Sequence, residues 1–383
     1  MKTGYLQKEL QELEDSGMYR SLKTVGSPQG REITLEGETV LNFCSNDYLG
    51  LANDPRIKRA ALEAIEEYGF GSGASRLVCG NMEPHEKLEE ELAQFKKTES
   101  ALVYSSGYMA NTGIIPALVD RSSVVLSDRL NHASIIDGIM LSRAKLIRYP
   151  HMDMQALQNA LQEIPAGQRK LIVTDSVFSM DGDKAPLKDI VDLAGKYEAM
   201  VMVDEAHAFG VLGKCGSGLV EELGLEGQVD IQMGTLSKAA GCFGAYVCGT
   251  KTLREYLINK SRSFIYTTAM PPVLAQAARA ALQIICHEND LRRQLDLNAS
   301  FLRRELARSG FDTMRSSTPI IPILVKDPVR ATTMSRQLLR LGILVGAIRP
   351  PTVPFDTARL RLTVMATHTQ EDLEKLLNAL RTL

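Results

Sequence analysis

The sequence predicts an α/β protein with a mostly parallel sheet, a smaller C-terminal α+β domain and an N-terminal arm. From about residue 50 to 285, apolar strand-like runs alternate with amphipathic helical patterns, which is typical of a parallel sheet covered on both faces. Beyond residue 287, a polar helical stretch precedes three further strand-like runs. The chain has 383 residues, 44% of them apolar, so it has ample material for a large core.

The N-terminal arm is predicted to comprise residues 1–45. Residues 5–16 have a charged helical pattern, and the alternation in REITLEGETVLNF predicts a hairpin that turns at Glu36–Gly37. The N-terminal stretch has no apolar core typical of a signal peptide, and no window of about 18 apolar residues occurs along the chain. These features predict a cytoplasmic protein that makes no contact with a membrane.

The sequence pattern predicts a large domain over residues 46–286 and a small domain over residues 287–383. The clearest strand-like runs of the large domain are ALVYSS, SVVLSD, LIVTDS, AMVMVDEAH and GAYVCG. The stretch QIICHENDLRRQLDLNASFLRRELARSG predicts one long polar helix, and the small domain continues with PIIPILVK, GILVGAIRPPTVP and RLRLTVMAT. Ligands of open α/β sheets bind at the carboxyl ends of the strands, so the residues that end these runs are the candidate site residues.

Charge and cysteine content exclude several classes of function. Lys and Arg number 44 against 46 Asp and Glu, and the net charge of −2 offers no electrostatic footprint for nucleic acid. The six cysteines form no CxxC pair and have no histidine at metal-ligand spacing. The sequence therefore predicts reduced thiols, no metal site and a small-molecule substrate.

A lysine that follows a polar segment and an aspartate that ends a predicted strand are the two most informative charged residues. Lys238 lies in GTLSKAAG among small residues, and Asp204 directly follows the apolar run AMVMV. A buried carboxylate needs a partner, and a helix cap or a salt bridge to an arginine would serve equally well. Pyridoxal phosphate (PLP) needs both an amine for a Schiff base and an anion that keeps its pyridine nitrogen protonated. His207, three residues after Asp204, could reach the phenolic oxygen of PLP or simply bond to backbone.

Other strand ends carry weaker signals. Gly107 precedes a helix that starts near Tyr108, and a glycine turn into a helix N-terminus can bind phosphate, as can the hydroxyl of Thr235. His132 could lie flat against a cofactor ring, although a lone histidine is more often structural. Ser179 could hydrogen-bond the phenolic oxygen of the cofactor.

Arg361 lies in ARLRLTVMAT, where Leu360 and Leu362 face the opposite side of the strand. An arginine that faces a site would bind a carboxylate through two hydrogen bonds. Read alone, the position favours a surface arginine. Asp181–Asp183, which follows Ser179 in VFSMDGD, is as likely to be a plain turn as part of a site.

Six motifs together resemble the α-oxoamine synthase family of fold-type I PLP-dependent transferases. They are YSSGYMANTG, NHASIIDG, SVFSMDGDKAPL, VDEAHAFGVLGKCGSG, GTLSKAAG and RPPTVPFDTARLRLTVMATHT. The resemblance covers nearly the whole chain. It implies a PLP site formed by Gly107, Tyr108, His132, Ser179, Asp204, His207, Thr235, Lys238 and Thr267, and substrate contacts from Arg20, Thr352 and Arg361.

The resemblance also assigns roles. Lys238 would form the Schiff base and move the substrate proton, Asp204 would pair with the pyridine nitrogen, and His132 would stack on the ring. The family works as a homodimer with the active site at the interface, where Thr267 would reach the phosphate of the other subunit.

Members of the family condense an amino acid with an acyl thioester and release carbon dioxide and the thiol. The phrases GMYRSL, SRSFIYTTAMPP and RPPTVP are most similar to the branch that joins L-alanine to a pimeloyl thioester in biotin biosynthesis. The acyl donor would be carried on coenzyme A or on an acyl carrier protein.

Several alternatives remain open at this point. 2-Amino-3-ketobutyrate CoA ligase, serine palmitoyltransferase and 5-aminolevulinate synthase would share the catalytic residues and differ in the amino acid and acyl pockets. A fold-type I aminotransferase fits less well, because it needs a site for a second keto acid. An effector-binding module of a transcription regulator would need a basic DNA-binding segment, which the sequence does not provide.

Overall fold

The computed structural model describes residues 3–15 and 18–383. The helices are α1 (Gly4–Asp15), α2 (Pro55–Tyr68), α3 (Glu83–Phe95), α4 (Gly107–Leu118), α5 (Ala133–Ser142), α6 (Met154–Gln162), α7 (Leu187–Tyr197), α8 (Leu219–Glu222), α9 (Lys251–Lys260), α10 (Arg262–Ile265), α11 (Pro272–His287), α12 (Asn289–Arg308), α13 (Pro328–Arg340) and α14 (Gln370–Arg381). The strands are β1 (Glu32–Leu35), β2 (Glu38–Asn42), β3 (Ser100–Tyr104), β4 (Val124–Asp128), β5 (Lys145–Tyr149), β6 (Lys170–Asp175), β7 (Met200–Asp204), β8 (Ile231–Thr235), β9 (Ala245–Gly249), β10 (Ile320–Lys326), β11 (Ile343–Leu344), β12 (Gly346–Ile348) and β13 (Ala358–Thr363).

A seven-stranded sheet in the order β3-β9-β8-β7-β6-β4-β5 forms the centre of the chain. Strand β9 is antiparallel to both of its neighbours, and the other six strands point in one direction. The mostly parallel sheet predicted from the sequence is therefore confirmed. Leu126 and Val203 pack in a core on one face of the sheet, and Val125 and Met202 pack in a core on the other. Burial on both faces explains why the strand runs are continuously apolar.

Strand β8 is a central strand that the apolar runs do not indicate. Its sequence IQMGT contains Gln232 and Gly234, yet all five of its residues are buried. A glycine is required in this strand because a Cβ at Gly234 would lie 2.4 Å from the hydroxyl oxygen of Tyr246 on β9. Strand β8 is stabilised by pairing with β7 on one side and β9 on the other, and these neighbours cannot be inferred from its local sequence.

The C-terminal part contains a second sheet, in the order β10-β13-β12, with all pairs antiparallel. The prediction of one long polar helix before it was wrong. The chain instead forms α11 and α12, which meet at Glu288 with φ −106° and ψ 73°, outside the helical region. Ile284 and Ile285 are buried near the end of α11, so the QIICH segment belongs to the core rather than to the polar helix.

The predicted N-terminal hairpin is confirmed, with β1 paired to β2 and left-handed backbone at Glu36 (φ 51°) and Gly37 (φ 94°). The helical pattern at 5–16 corresponds to α1, and residue 16 lies outside the described residues. Strand β11 pairs in parallel with β2, so the hairpin is joined to the C-terminal part of the chain. The domain limits at residues 45 and 286 stay a prediction. Within the described ranges, no helix is long and apolar enough to span a membrane.

Candidate active site

A cavity of about 150 Å³ lies where β4, β6, β7 and β8 end and where α4 begins. Its lining residues are Gly107, Tyr108, Asn111, His132, Ser134, Asp175, Ser179, Asp204, Ala206, His207, Met233, Thr235, Ser237 and Lys238. The structure thus brings together eight of the nine residues that the sequence assigned to the cofactor. Parallel strands deliver these residues to one edge of the sheet because their carboxyl ends coincide there.

Lys238 lies on the turn that follows β8, with its Nζ 3.4 Å from Thr235 Oγ1. Burial lowers the pKa of Lys238, and the negative charge of nearby Asp204 opposes that effect. A lowered pKa favours the neutral amine, which is the nucleophilic form. The turn needs a glycine at Gly241, which has φ 62° and where a Cβ would lie 2.3 Å from the backbone nitrogen of Ala52.

Asp204 is the last residue of β7 and is 5% exposed. Its Oδ1 accepts from the backbone N–H of Ala206 at 2.9 Å, and its Oδ2 accepts from Asn111 Nδ2 at 3.0 Å. Among residues 3–15 and 18–383, no lysine, arginine or histidine nitrogen lies within 4 Å of this carboxylate. The salt bridge considered as an alternative is therefore not formed, and the site can accept the protonated nitrogen of a ligand ring.

Asp175 is a second carboxylate at the same edge, and the sequence did not single it out as a site residue. It ends β6 in register with Asp204 and accepts the backbone N–H of His132 at 2.8 Å. Burial, followed by the charge of Asp204, raises the pKa of Asp175 well above its ordinary value. Burial and the neighbouring carboxylate therefore favour the protonated form of Asp175.

The two predicted histidines are both favoured in their neutral form. His132 precedes α5, and its Nδ1 lies 2.8 Å from Ser134 Oγ. His207 Nδ1 lies 2.6 Å from the hydroxyl of Tyr48. Burial lowers the pKa of His132 and lowers that of His207 well below the ordinary value. Tyr48 is 1% exposed and is a site residue that the sequence analysis missed, because nothing in its local pattern indicates a contact 159 residues away.

The start of α4 is where the sequence predicts an anion site. Ser106 caps the helix, and its Oγ accepts from the N–H of Met109 at 3.2 Å. A Cβ at Gly107 would lie 2.7 Å from Thr235 Cγ2, so this close approach requires glycine. The first N–H groups of a helix have no intrahelical acceptor, and the helix dipole favours an anion there. Asn111, one turn further along, was missed, although its spacing of four residues from Gly107 places it on the same helix face.

Arg361 is 7% exposed, so the reading as a surface arginine does not hold. Its Nε donates to the carbonyl of Ser179 at 2.5 Å, and its Nη2 donates to Asn46 Oδ1 at 3.1 Å. A third bond goes to Thr363 Oγ1 at 2.8 Å, which leaves two of the five guanidinium N–H donors for a carboxylate.

The segment Asp181–Asp183 is more than a plain turn. Asp181 forms a buried ion pair with Arg359 of β13 at 2.6 Å. A Cβ at Gly182, where φ is 70°, would lie 2.0 Å from the carbonyl oxygen of Ile320. The turn that carries Ser179 is therefore fixed against the small sheet.

Four predicted residues are not among those that line the cavity. Arg361 bonds to the lining residue Ser179, as described above. Arg20 and Thr352 line another cavity, of about 690 Å³. Thr267 lines a small cleft with Arg76 and Ser105, and Ser105 comes two residues before Gly107. The structure brings Arg20 and Thr352 together with each other but not with Lys238.

Comparison with known families settles which group of proteins has this arrangement. The family model "Aminotransferase class I and II" matches residues 38–380. The chain belongs to the aminotransferase class I and II family. Within this family, the chain is 55% identical over 374 residues to 8-amino-7-oxononanoate synthase of Geobacter sulfurreducens, an alignment that covers 97% of this chain and 96% of the relative.

Solved structures agree with the family assignment. Serine palmitoyltransferase from S. paucimobilis, solved with bound PLP-myriocin aldimine, superposes with a TM-score of 0.94 at 34% identity over 100% of this chain and 97% of that chain. The 8-amino-7-oxononanoate synthase of Francisella tularensis gives a TM-score of 0.79 at 32% identity over 90% of this chain and 97% of that chain. The predicted fold, that of a fold-type I PLP-dependent transferase, is confirmed.

Proposed function

We propose that this chain is a PLP-dependent acyltransferase that condenses L-alanine with a pimeloyl thioester. The products are 8-amino-7-oxononanoate, carbon dioxide and the free thiol, and the reaction belongs to biotin biosynthesis. The observation that carries the proposal is Asp204, a buried carboxylate with no cationic nitrogen within 4 Å among residues 3–15 and 18–383, in the same cavity as Lys238 with its lowered pKa. The relative from G. sulfurreducens, at 55% identity, supports the choice of reaction.

The donor set of the cavity fits PLP. The residues that would hold it are Gly107, Tyr108, His132, Ser179, Asp204, His207, Thr235 and Lys238. Gly107 and Thr235 would bind the phosphate, Asp204 the pyridine nitrogen, and Lys238 would attach the cofactor covalently. When bound, PLP withdraws electrons from the α-carbon of an attached amino acid, which makes its α-proton acidic.

The residues of the chain would supply positioning and proton transfer. Arg361 would hold the alanine carboxylate with its two free N–H donors. The neutral amine of Lys238 would take the α-proton, and the α-carbon would then attack the thioester carbonyl, with loss of the thiol. The carboxylate would leave as carbon dioxide, after which Lys238 would return the proton to the α-carbon. His207, kept neutral by burial, would act as a hydrogen-bonding partner and not as a charge.

The protein would act as a homodimer in the cytoplasm. Large apolar side chains lie uncovered near the Thr267 cleft, including Phe70, Val78 and Tyr266, which are 72%, 79% and 72% exposed. Such a set of exposed apolar side chains is typical of a protein interface. Thr267 would then reach the phosphate bound to the second subunit, which accounts for its position outside the cavity of its own chain.

Thiol release tests the proposal. The PLP-loaded protein is incubated with L-alanine, glycine or L-serine, each in combination with pimeloyl, acetyl and palmitoyl thioesters. We expect L-alanine with the pimeloyl donor to give the highest kcat/KM. Faster turnover of L-serine with the palmitoyl donor would instead favour a serine palmitoyltransferase, which the high TM-score makes the second candidate.

A substitution at Asp204 tests the site itself. Asp204→Asn should keep measurable PLP binding and lose most α-proton exchange, because the loss of a buried ion-pair partner costs about 3–5 kcal/mol. Asp189→Asn, at an exposed position in α7, is the matched control and should exchange at the wild-type rate. Normal exchange in Asp204→Asn would rule out its assigned role.

A further inference from the structure

A chain of hydrogen bonds links Asp204 to His132, the two residues to which the proposed function assigns contacts with the cofactor ring. Asn111 Nδ2 donates to Asp204 Oδ2 at 3.0 Å and to Ser134 Oγ at 2.9 Å. Ser134 Oγ in turn lies 2.8 Å from His132 Nδ1. We call Asn111 and Ser134 the bridge. Both are buried, and all four residues line the cavity that contains Lys238.

The direction of every bond in this chain can be assigned. The backbone N–H of Ser134 donates to His132 Nδ1 at 3.3 Å, so this ring nitrogen is an acceptor. Burial lowers the pKa of His132, which favours the neutral ring, and a neutral ring whose Nδ1 accepts has its proton on Nε2. The Ser134 hydroxyl then donates to Nδ1, and its oxygen accepts from Asn111.

The amide of Asn111 uses both of its N–H donors and leaves its acceptor unpaired. One donor goes to Asp204 and the other to Ser134. Within the described part of the chain, the buried Oδ1 of Asn111 has no hydrogen-bond partner. An unpaired buried acceptor lowers stability, so a buried amide of this kind calls for a reason other than stability. The bonding pattern favours a role in orienting the two neighbours.

The packing of α4 against α5 brings the two bridge residues together. Asn111 lies on α4 and Ser134 lies on α5. A Cβ at Gly138 of α5 would lie 2.7 Å from the backbone oxygen of Asn111, so glycine permits this close approach of the two helices. The approach places the amide of one helix within hydrogen-bond distance of the hydroxyl of the other.

The bonds continue into the sheet beyond His132. The backbone N–H of His132 donates to Asp175 Oδ2 at 2.8 Å. Asp175 ends β6 in register with Asp204 at the end of β7. The bridge and these two strand ends therefore form a closed circuit, in which the position of Asp204 and that of His132 are set relative to each other.

We propose that Asn111 and Ser134 are positioning residues of the PLP site. Asn111 fixes the orientation of the Asp204 carboxylate toward the pyridine nitrogen. Ser134 fixes His132 in the form that has its proton on Nε2. The inference rests on the proposed function, which assigns Asp204 and His132 to the cofactor, and it adds the residues through which both are held.

A pair of ligands tests the action of Asn111 on Asp204. Pyridoxine 5′-phosphate contains the ring nitrogen, and its 1-deaza analogue has carbon in that place. Neither has an aldehyde, so neither attaches to Lys238. We expect calorimetry on the cofactor-free protein to show tighter binding of pyridoxine 5′-phosphate. In Asn111→Ala, the ratio of the two Kd values should fall at least about threefold, because the carboxylate is no longer held toward the ring nitrogen.

Asn298→Ala is the matched control for this measurement. Asn298 is also buried, but its amide donates to the carbonyls of Met365 and His368, away from the cavity lining. It should keep the ratio of Kd values. An equal loss of affinity for both ligands in Asn111→Ala would overturn the inference, since Asn111 would then support only the shape of the cavity. Equal binding of the two ligands by the wild-type protein would overturn it as well.

The tautomer of His132 tests the action of Ser134. Nitrogen-15 NMR of the cofactor-free chain labelled at histidine, with His132→Gln to assign the signal, should show a proton on Nε2 and none on Nδ1. Ser134→Ala should give a measurable fraction of the form protonated on Nδ1, because the hydroxyl donor is lost. Ser142→Ala, at another buried serine of α5, should leave the spectrum unchanged. A wild-type ring protonated on Nδ1, or an unchanged tautomer in Ser134→Ala, would overturn the inference.

These measurements separate the inference from the proposed function, because neither depends on turnover. Absence of thiol release from the PLP-loaded wild-type protein, together with the expected ligand ratio and tautomer, would overturn the proposed function and support the bridge. Normal thiol release together with an unchanged ligand ratio in Asn111→Ala would overturn the inference and leave the proposed function in place.

Discussion

His151 offers a sharp test of the electrostatics around the site. Its Nδ1 lies 3.0 Å from Asp128 Oδ1 and its Nε2 lies 2.9 Å from Asp183 Oδ2, so the ring bridges two carboxylates. Asp128 ends β4, four residues before His132, and Asp183 closes the turn that carries Ser179. Burial opposes the charge, but hydrogen bonds to the two aspartates raise the pKa of His151 to about 9.

The contribution of His151 to the free energy of unfolding, and its dependence on pH, follow from that pKa. An ordinary histidine has a pKa of about 6.5, and the difference from about 9 corresponds to about 3 kcal/mol of free energy of unfolding. Because the pKa is raised in the folded state, this stabilisation is fully present below pH 6.5. It is lost as the pH rises from 6.5 through 9, where the folded protein gives up the proton.

The perturbation is His151→Gln, which keeps a hydrogen-bonding side chain and removes the charge. Urea unfolding, followed by circular dichroism at fixed protein and PLP concentrations, should show the variant to be less stable by about 3 kcal/mol at pH 6. The difference from wild type should shrink to less than about 1 kcal/mol at pH 9.5. His287→Gln, at an exposed helix end, is the matched control. A difference for His151→Gln that is the same at both pH values would refute the reasoning, since it would reflect packing and not charge.

Three further predictions concern the buried groups around the site. Glu205→Ala should lower the free energy of unfolding by about 3–5 kcal/mol, because it leaves the fully buried Lys96 without its carboxylate partner. A loss of less than about 1 kcal/mol in a urea titration would contradict this expectation. Gly107→Ala should raise the Kd for PLP at least about tenfold, because its Cβ would enter the close contact with β8. In the same fluorescence titration, Gly195→Ala should bind PLP normally, because a Cβ at Gly195 would meet no atom within 4 Å. Borohydride reduction of the PLP-loaded protein should label Lys238 in a peptide map, and a label on any other lysine would refute the assignment.

The sequence by itself determined the elements of this protein that depend on local pattern. Continuous apolar runs predicted β3, β4, β6, β7 and β9 because both faces of the sheet are buried. Asp204 and Lys238 stood out because a charge next to a buried run, or among small residues, is unfavourable without a specific partner. They were expected to lie together because PLP needs both an amine and an anion, and they line one cavity.

Tertiary structure decided the features that join distant segments. The bond between Tyr48 and His207 spans 159 residues, and the bond from Arg361 to Asn46 spans 315. Strand β8 pairs with β7 and β9 despite its weak apolar pattern, and a cavity of about 1000 Å³ is lined by residues from the ends of two strands, a helix and a loop. The local sequence pattern indicates which residues are buried and how they repeat. The contacts between distant segments depend instead on how separate elements pack, and that arrangement exists only in the folded chain.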